Sequence, residues 1–293
     1  MDDLLHRSTG GWPERKYCYM SQALSCLQLA QFHPDLELVT DTIGKQLLLE
    51  KLDLPYKKVS VALDIPPHYP GDLWSAKNLY TYSIQQSPFI HVDGDVYITH
   101  SLESSDSETR IWVENQLRIQ SRPLQAILDQ IIPKLADKPG YLHPPNTPYI
   151  EIWNAGIFGG NDLAFIQAFS RDALKTVENN LSLITDNLGI EIGDLNHGEF
   201  RLIDLFSILF YSYLFTAFTA REAQVPLTML EPLDIEMLGD SHISMISPDL
   251  SHIHPIYNEK RRSVVCSRLE NCLRCRYPKY YYHIKSLLTD YKI

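Results

Sequence analysis

A chain of 293 residues with a formal net charge of -10 is long enough to bury a sizeable core, and its acidic balance argues against a general nucleic-acid binder. Hydrophobic residues at 44% and charged residues at 21% are the proportions of a globular chain, not of a disordered or fibrous one. The N-terminus lacks the apolar core of a secretory signal, and five cysteines, an odd count, point to reduced thiols and a cytoplasmic location.

In chain order, Tyr19 to Gln31 has helical spacing. Leu36 to Thr40 reads as a strand ending at Asp41, Gly44 to Leu52 as a short helix, and Val59 to Ala62 as a second strand. Pro66, Pro67 and Pro70 mark a loop before a helix over Leu73 to Gln86. The apolar run from Pro88 into Asp93-Gly94-Asp95 reads as a strand buried on both faces. Ser101 to Asp106 is a polar turn, Ile111 to Leu135 looks helical with a break at Pro123, and Gly140 to Pro148 is a proline-rich loop. Tyr149 to Trp153 reads as a strand that runs into Asn154-Ala155-Gly156-Ile157-Phe158-Gly159-Gly160. Asn161 and Asp162 cap the following helix, which continues through Phe169.

Leu202 to Phe218 is the longest apolar stretch, but Asp204, Ser207, Ser212 and Thr216 interrupt it. It reads as a buried central helix and not as a membrane span. A strand near Leu227 to Leu230, a loop around His252 and His254, and a final helix complete the chain. Alternating strands and helices predict an α/β fold with a mostly parallel central sheet flanked by helices. No linker divides the chain, so a single domain over 1–293 is expected.

Two elements carry chemistry. An unpaired carboxylate at the end of a buried strand is costly to desolvate, and two adjacent ones raise each other's pKa. A divalent cation resolves both problems. In extended backbone Asp93 and Asp95 point to one side, and Gly94 lets a ligand approach the backbone. The expectation is a Mg²⁺ or Mn²⁺ site able to hold a diphosphate, against the commoner case of a solvated acidic turn. In the second element, Asn154 offers donor and acceptor to a sugar hydroxyl, and its small neighbours leave room beside the backbone. The alternative is a tight turn that needs glycine. Cys272-Leu273-Arg274-Cys275 has no second pair with matching spacing, so thiols on a helix are expected there and not structural zinc. The C-terminal basic residues Lys260, Arg261, Arg262, Arg268, Arg274 and Arg276 form a solvated basic face or an anion-binding one.

Taken together, Leu38-Val39-Thr40-Asp41, Asp93-Gly94-Asp95 and Asn154-Ala155-Gly156-Ile157-Phe158-Gly159-Gly160 resemble the GT-A class of nucleotide-sugar-dependent glycosyltransferases. The chain is similar in particular to a bacterial group of uncharacterised glycosyltransferase-like proteins. That likeness rests on Trp74, Lys77, Tyr80, Thr81 and Tyr82 ahead of the acidic pair, and on Leu269 to Leu273 followed by Tyr277 to Tyr281. The resemblance implies a GT-A-like fold, with a nucleotide-binding half over 1–100 and an acceptor- and sugar-binding half over 101–293, and transfer of a sugar from a nucleoside-diphosphate sugar to an acceptor hydroxyl, on a glycan or another acceptor. It implies Asp95 as direct metal ligand and Asp93 as ligand to the metal or to the donor ribose, with Asp41 on the substrate side. It places Asn154, Ala155 and Gly156 beside the donor sugar, and Lys77 near the diphosphate or on an ordinary helix surface.

Several GT-A families use a late H-x-x-G-x-x-K. Here His254 and Lys260 have that spacing, with Tyr257 in place of the glycine, and His252 competes as third ligand. Lys260 would neutralise the departing diphosphate. Related chains carry Glu-Gln early in the central apolar helix where this one has Asp204-Leu205, which makes Asp204 the candidate for positioning acceptor or sugar. The strand that usually precedes the segment matching Gly10-Gly11-Trp12 has only Met1 to Thr9 here. These two departures keep open a non-catalytic nucleotide-sugar-binding protein. A metal-dependent phosphohydrolase using Asp93 and Asp95 is the other alternative.

Overall fold

The computed structural model describes residues 9–64, 69–70, 73–102, 110–120, 122–147, 149–186, 202–221, 227–229, 235–238 and 252–290. The elements in chain order are α1 (Arg15–Phe32), β1 (Glu37–Thr40), α2 (Thr42–Lys45, continued by a π turn Gln46–Lys51), β2 (Lys58–Val61) and α3 (Trp74–Ser83). Then come β3 (Phe89–Val92), β4 (Tyr97–Ile98), β5 (Ile111–Gln120), α4 (Arg122–Ile131), β6 (Ile150–Gly160), α5 (Leu163–Glu178) and α6 (Leu181–Asp186). A continuous helical rod follows, made of α7 (Leu202–Ile208), a π segment (Leu209–Tyr213) and α8 (Leu214–Arg221). The chain ends with β7 (Leu227–Met229), β8 (Ile235–Leu238), β9 (His252–Ile253), a 3-10 turn (Tyr257–Arg261), α9 (Ser263–Arg276) and α10 (Pro278–Asp290).

Two compact units interleave along the sequence. The first comprises the described residues of 1–65, 92–103 and 244–293, the second those of 66–91 and 104–243. In the first, α1 buries Met20, Ala23, Leu24 and Leu27, the i, i+3, i+4, i+7 stripe of a core-facing helix. Their core partners include Leu47 and Leu52 of the early helix and Leu269, Leu273 and Ile284 of α9 and α10. A fully buried leucine of this kind is worth about 1.5–3 kcal/mol. Beside that stripe α1 carries a second, polar one, since Ser21, Ser25 and Gln28 are also buried. β1 and β2 pair in parallel, and β4 and β9 pair antiparallel. All five cysteines are free thiols.

The second unit holds a sheet ordered β3-β6-β5-β7, with β8 also paired to β5. β5 runs antiparallel to β6 and parallel to β7 and β8. Its core is aromatic. Tyr82 lies 4.8 Å from Phe158 between ring centroids, and its hydroxyl meets that of Tyr211 at 2.6 Å. Phe169, Phe206, Phe210 and Phe215 are fully buried beside them in sequence elements α5, α7, the π segment and α8. Residues Ile203–Arg221 are long and apolar enough to cross a membrane, and two-thirds of that window is buried inside the structure, as expected of a core helix.

Several expectations need correction. The sheet content is α/β, but the described strands form three sheets with mixed directions and not one mostly parallel central sheet. Ile111 to Gln120 is a strand and not helix, because Ile111, Val113, Leu117 and Ile119 bury alternate positions, a period of two. Pro123 starts no break, since it falls in the first turn of α4, where its missing N–H costs nothing. Asn154 to Gly160 are neither a loop nor a turn but the second half of β6. Gly159 is needed for close strand contact, since a Cβ there would fall 2.9 Å from the Ile90 Cα and closer still to the Phe89 carbonyl. Asp162 does cap α5, accepting from the Phe165 N–H at 3.1 Å. Residues 1–8 and residues 103–106 of the turn over Ser101 to Asp106 lie outside the described residues.

Candidate metal centre

The acidic pair sits where strand gives way to turn. β3 ends at Val92, and all four of its residues are half-buried, not sealed on both faces. Asp93-Gly94-Asp95 then forms a tight turn closed by the Val96 N–H donating to the Asp93 carbonyl at 3.1 Å. The backbone there is a turn and not extended, so the common orientation of the two carboxylates comes from the turn and not from strand alternation.

Sequence reading missed what holds this turn. The polar stripe of α1 supplies two hydroxyl donors, Ser21 to the Gly94 carbonyl at 3.0 Å and Ser25 to the Asp93 carbonyl at 3.2 Å. Ser21 also meets the Tyr97 hydroxyl at 2.8 Å. Gly94 is not an opening for a ligand, because a Cβ there would meet Gln22 Cγ at 3.1 Å. Only the spacing of Ser21, Ser25 and Gln28 within an otherwise apolar helix could have signalled this surface, and it names no target.

Antiparallel pairing explains why residues so far apart in sequence meet here. Tyr97 opposes Ile253 and Ile98 opposes His252. Extending the register one step sets His254 opposite Val96, next to Asp95. His254 Nε2 lies 3.4 Å from Asp95 Oδ1, and ligand atoms of Asp93, Asp95 and His254 fall within 4.8 Å of one another. His252, 4% exposed, is a buried strand residue opposite Ile98 and is not part of that group. Of the two candidate histidines the geometry therefore selects His254.

Lys260 completes the group. The 3-10 turn Tyr257–Arg261 brings its ammonium onto Asp95 Oδ2 in a close ion pair, and Nζ also donates to the Gly10 carbonyl at 2.9 Å. That turn is braced by Glu259, which is 4% exposed and accepts two bonds from Arg262, at 2.9 and 3.1 Å. The side chains of Asp95, His254 and Lys260 are only 18%, 9% and 13% exposed. Burial alone would raise the Asp95 pKa. The Lys260 charge and the His254 imidazole outweigh burial and hold the carboxyl below the ordinary carboxylate range. The group is thus an ionised carboxylate with one oxygen toward imidazole and one toward ammonium. Two carboxylates and an imidazole are a donor set that suits Mn²⁺, and the atoms need to close by only a fraction of their present separation to share one ion.

The other expected residues lie apart in role. Asp41 belongs to the same unit but is spent on capping α2, accepting from the Gly44 N–H at 2.6 Å. Lys77, Asn154, Ala155, Gly156 and Asp204 belong to the second unit. Lys77 is half-buried on α3. Asn154 faces Asn115 across the β5–β6 ladder, where β6 bulges through Ala155 and Gly156, and the Ala155 carbonyl accepts from the Tyr211 hydroxyl at 3.3 Å. Asp204 is half-buried and not sealed, and it stands in the first turn of α7, where a carboxylate favours the helix dipole without any ligand.

No curated protein and no solved structure matches the chain. A family model does, over residues 2–287, and with nearly the whole chain covered the protein belongs to DUF6734, a family of unknown function.

Proposed function

We propose that this chain is a metal-dependent glycosyltransferase of GT-A-like fold, moving a sugar from a nucleoside-diphosphate sugar to an acceptor hydroxyl. The observation that carries this reading is the convergence of Asp93, Asp95 and His254 within 4.8 Å, with the Lys260 ammonium alongside. These residues come from two separate sequence motifs, Asp93-Gly94-Asp95 and the His254–Lys260 spacing, each of which the resemblance singles out. The ion, Mn²⁺ or Mg²⁺, would be held by Asp93, Asp95 and His254 and would supply Lewis-acid stabilisation of the departing diphosphate. Lys260 adds a second positive charge on the same oxygens as negative charge develops there. Asn154, Ala155 and Gly156 are the proposed donor-sugar segment, Asp41 and Lys77 further substrate contacts, and Asp204 the positioning carboxylate. Five free thiols support a cytoplasmic setting for the reaction.

Two observations favour a second reading, that of a nucleotide-sugar-binding protein without turnover. Asp41 is engaged as a helix cap, and Asp204 sits where a structural carboxylate belongs. Incubation with UDP- and GDP-sugars and Mn²⁺ over a broad acceptor panel separates the two. Acceptor-dependent release of UDP or GDP supports transfer. Metal-dependent binding without release supports the second reading, and phosphate release from simple esters would replace both with a phosphohydrolase.

A further inference from the structure

We infer that Lys260 is a resident cation that occupies the candidate metal centre until a metal ion and a diphosphate arrive together, and that its departure removes one tie from the Gly10-Gly11 turn. This inference rests on the metal-centre reading above. Lys260 Nζ contacts both Asp95 Oδ2 and the Gly10 carbonyl, so one ammonium joins the acidic turn to the N-terminal one. The N-terminal turn is built for that contact. Gly10 and Gly11 have φ of +62° and +86°, a conformation that side chains disfavour, and a Cβ on Gly11 would touch Lys260 Cδ at 3.5 Å. Thr9 closes the same turn, accepting from the Trp12 N–H at 3.2 Å and donating its hydroxyl to the Trp12 carbonyl at 2.8 Å.

Lys260 lies on Asp95 Oδ2 and His254 on Oδ1, so a divalent ion drawn to Oδ1 would stand beside the ammonium. Two cations within a few ångströms, in a site where water reaches less than a fifth of each side chain, repel strongly. Metal entry therefore pushes the ammonium off the carboxylate, and a displaced ammonium is best met by another anion. A diphosphate bound to the incoming metal is that anion. The site thus favours a metal–nucleoside diphosphate unit over either component alone, which is positive coupling between two ligands. Once Lys260 turns to the diphosphate, the Gly10 carbonyl loses the Lys260 donor and the turn over Thr9 to Trp12 loses one of its ties.

Calorimetry on the full chain tests this, with MnCl₂ alone, UDP alone and both together, on the wild type, Lys260→Met and Lys260→Arg. Lys260→Met should bind Mn²⁺ alone about tenfold more tightly than the wild type and lose the coupling to UDP, whereas Lys260→Arg should keep the wild-type pattern. Hydrogen exchange over residues 9–12 is the second measurement. It should rise in metal-free Lys260→Met, and in the wild type on adding Mn²⁺ with UDP, an arm that needs no variant to fold. If the wild type binds Mn²⁺ with UDP while Lys260→Met gains no affinity for Mn²⁺ alone, the resident-cation inference is wrong and the metal centre stands. Absence of Mn²⁺ binding in every protein and condition would overturn both. Exchange unchanged over residues 9–12 in both arms would remove the tether.

Discussion

Asp95 answers to two partners at once, the imidazole of His254 and the ammonium of Lys260. Replacing it by Asn therefore does more than relieve repulsion between two carboxylates. It leaves Lys260 short of its counter-charge in a site with little water. Asp95→Asn should lower apo stability by about 1–3 kcal/mol, below the 3–5 typical of fully buried pairs, and should abolish Mn²⁺-dependent nucleotide binding. Denaturant unfolding in metal-free buffer reads the first effect, and an unchanged or raised midpoint would show that the ion pair contributes nothing. The two histidines separate in the same way. His254→Ala should weaken Mn²⁺ affinity about 10–100-fold with little loss of stability, whereas His252→Ala, at a strand position 4% exposed, should lower the melting temperature and leave Mn²⁺ affinity unchanged. Equal effects on metal affinity would contradict the assignment. The thiols give an independent check on burial. Burial pushes the Cys26 thiol up to about 12, only partly offset by its bond with Tyr56, while Cys275 is exposed. Iodoacetamide at pH 8 should therefore modify Cys275 first and Cys26 only on unfolding, and early mass addition at Cys26 would show that α1 packs differently.

At the scale of elements, the helices were the most legible. The stripe Met20, Ala23, Leu24, Leu27 and the capping role of Asp162 both follow from local pattern, and both are present. β1 and β2 were also legible within a residue or two. Ile111 to Gln120 was not, because Glu114, Asn115 and Gln116 mask the alternation of the apolar residues around a register shift, and irregularity of that kind hides a period of two. β6 was read too short for a related reason. Its small residues look like a turn in sequence, but they serve strand packing. Gly159→Ala tests this. Its Cβ would press into the backbone of Phe89 and Ile90, so the substitution should cost about 1–3 kcal/mol or more through overpacking. A neutral melting temperature would return the segment to a loop-like role. The centre itself was legible in its ligands and not in its support. Asp93, Asp95 and His254 carry chemical type and spacing, whereas Ser21 and Ser25 act through hydroxyl bonds to backbone carbonyls, which leave no motif.

At the scale of the whole molecule, the candidate metal centre is assembled from 92–103 and 244–293 within one unit, while the proposed donor-sugar segment and Asp204 belong to the other. Long-range assembly of this kind depends on the β4–β9 pairing, which joins residues more than a hundred positions apart by two-residue strands. Strands so short carry almost no sequence signal, so the pairing that builds the centre was the least readable feature of the chain. The proposed function stands on Asp93, Asp95 and His254 holding a divalent ion that in turn holds a nucleoside diphosphate. Calorimetric titration of the wild-type chain with UDP and with GDP, each with and without Mn²⁺, tests it most directly. The account predicts binding of at least one nucleotide that requires Mn²⁺ and is lost in both Asp95→Asn and His254→Ala. Nucleotide binding that is independent of Mn²⁺, or that survives both substitutions, would contradict it.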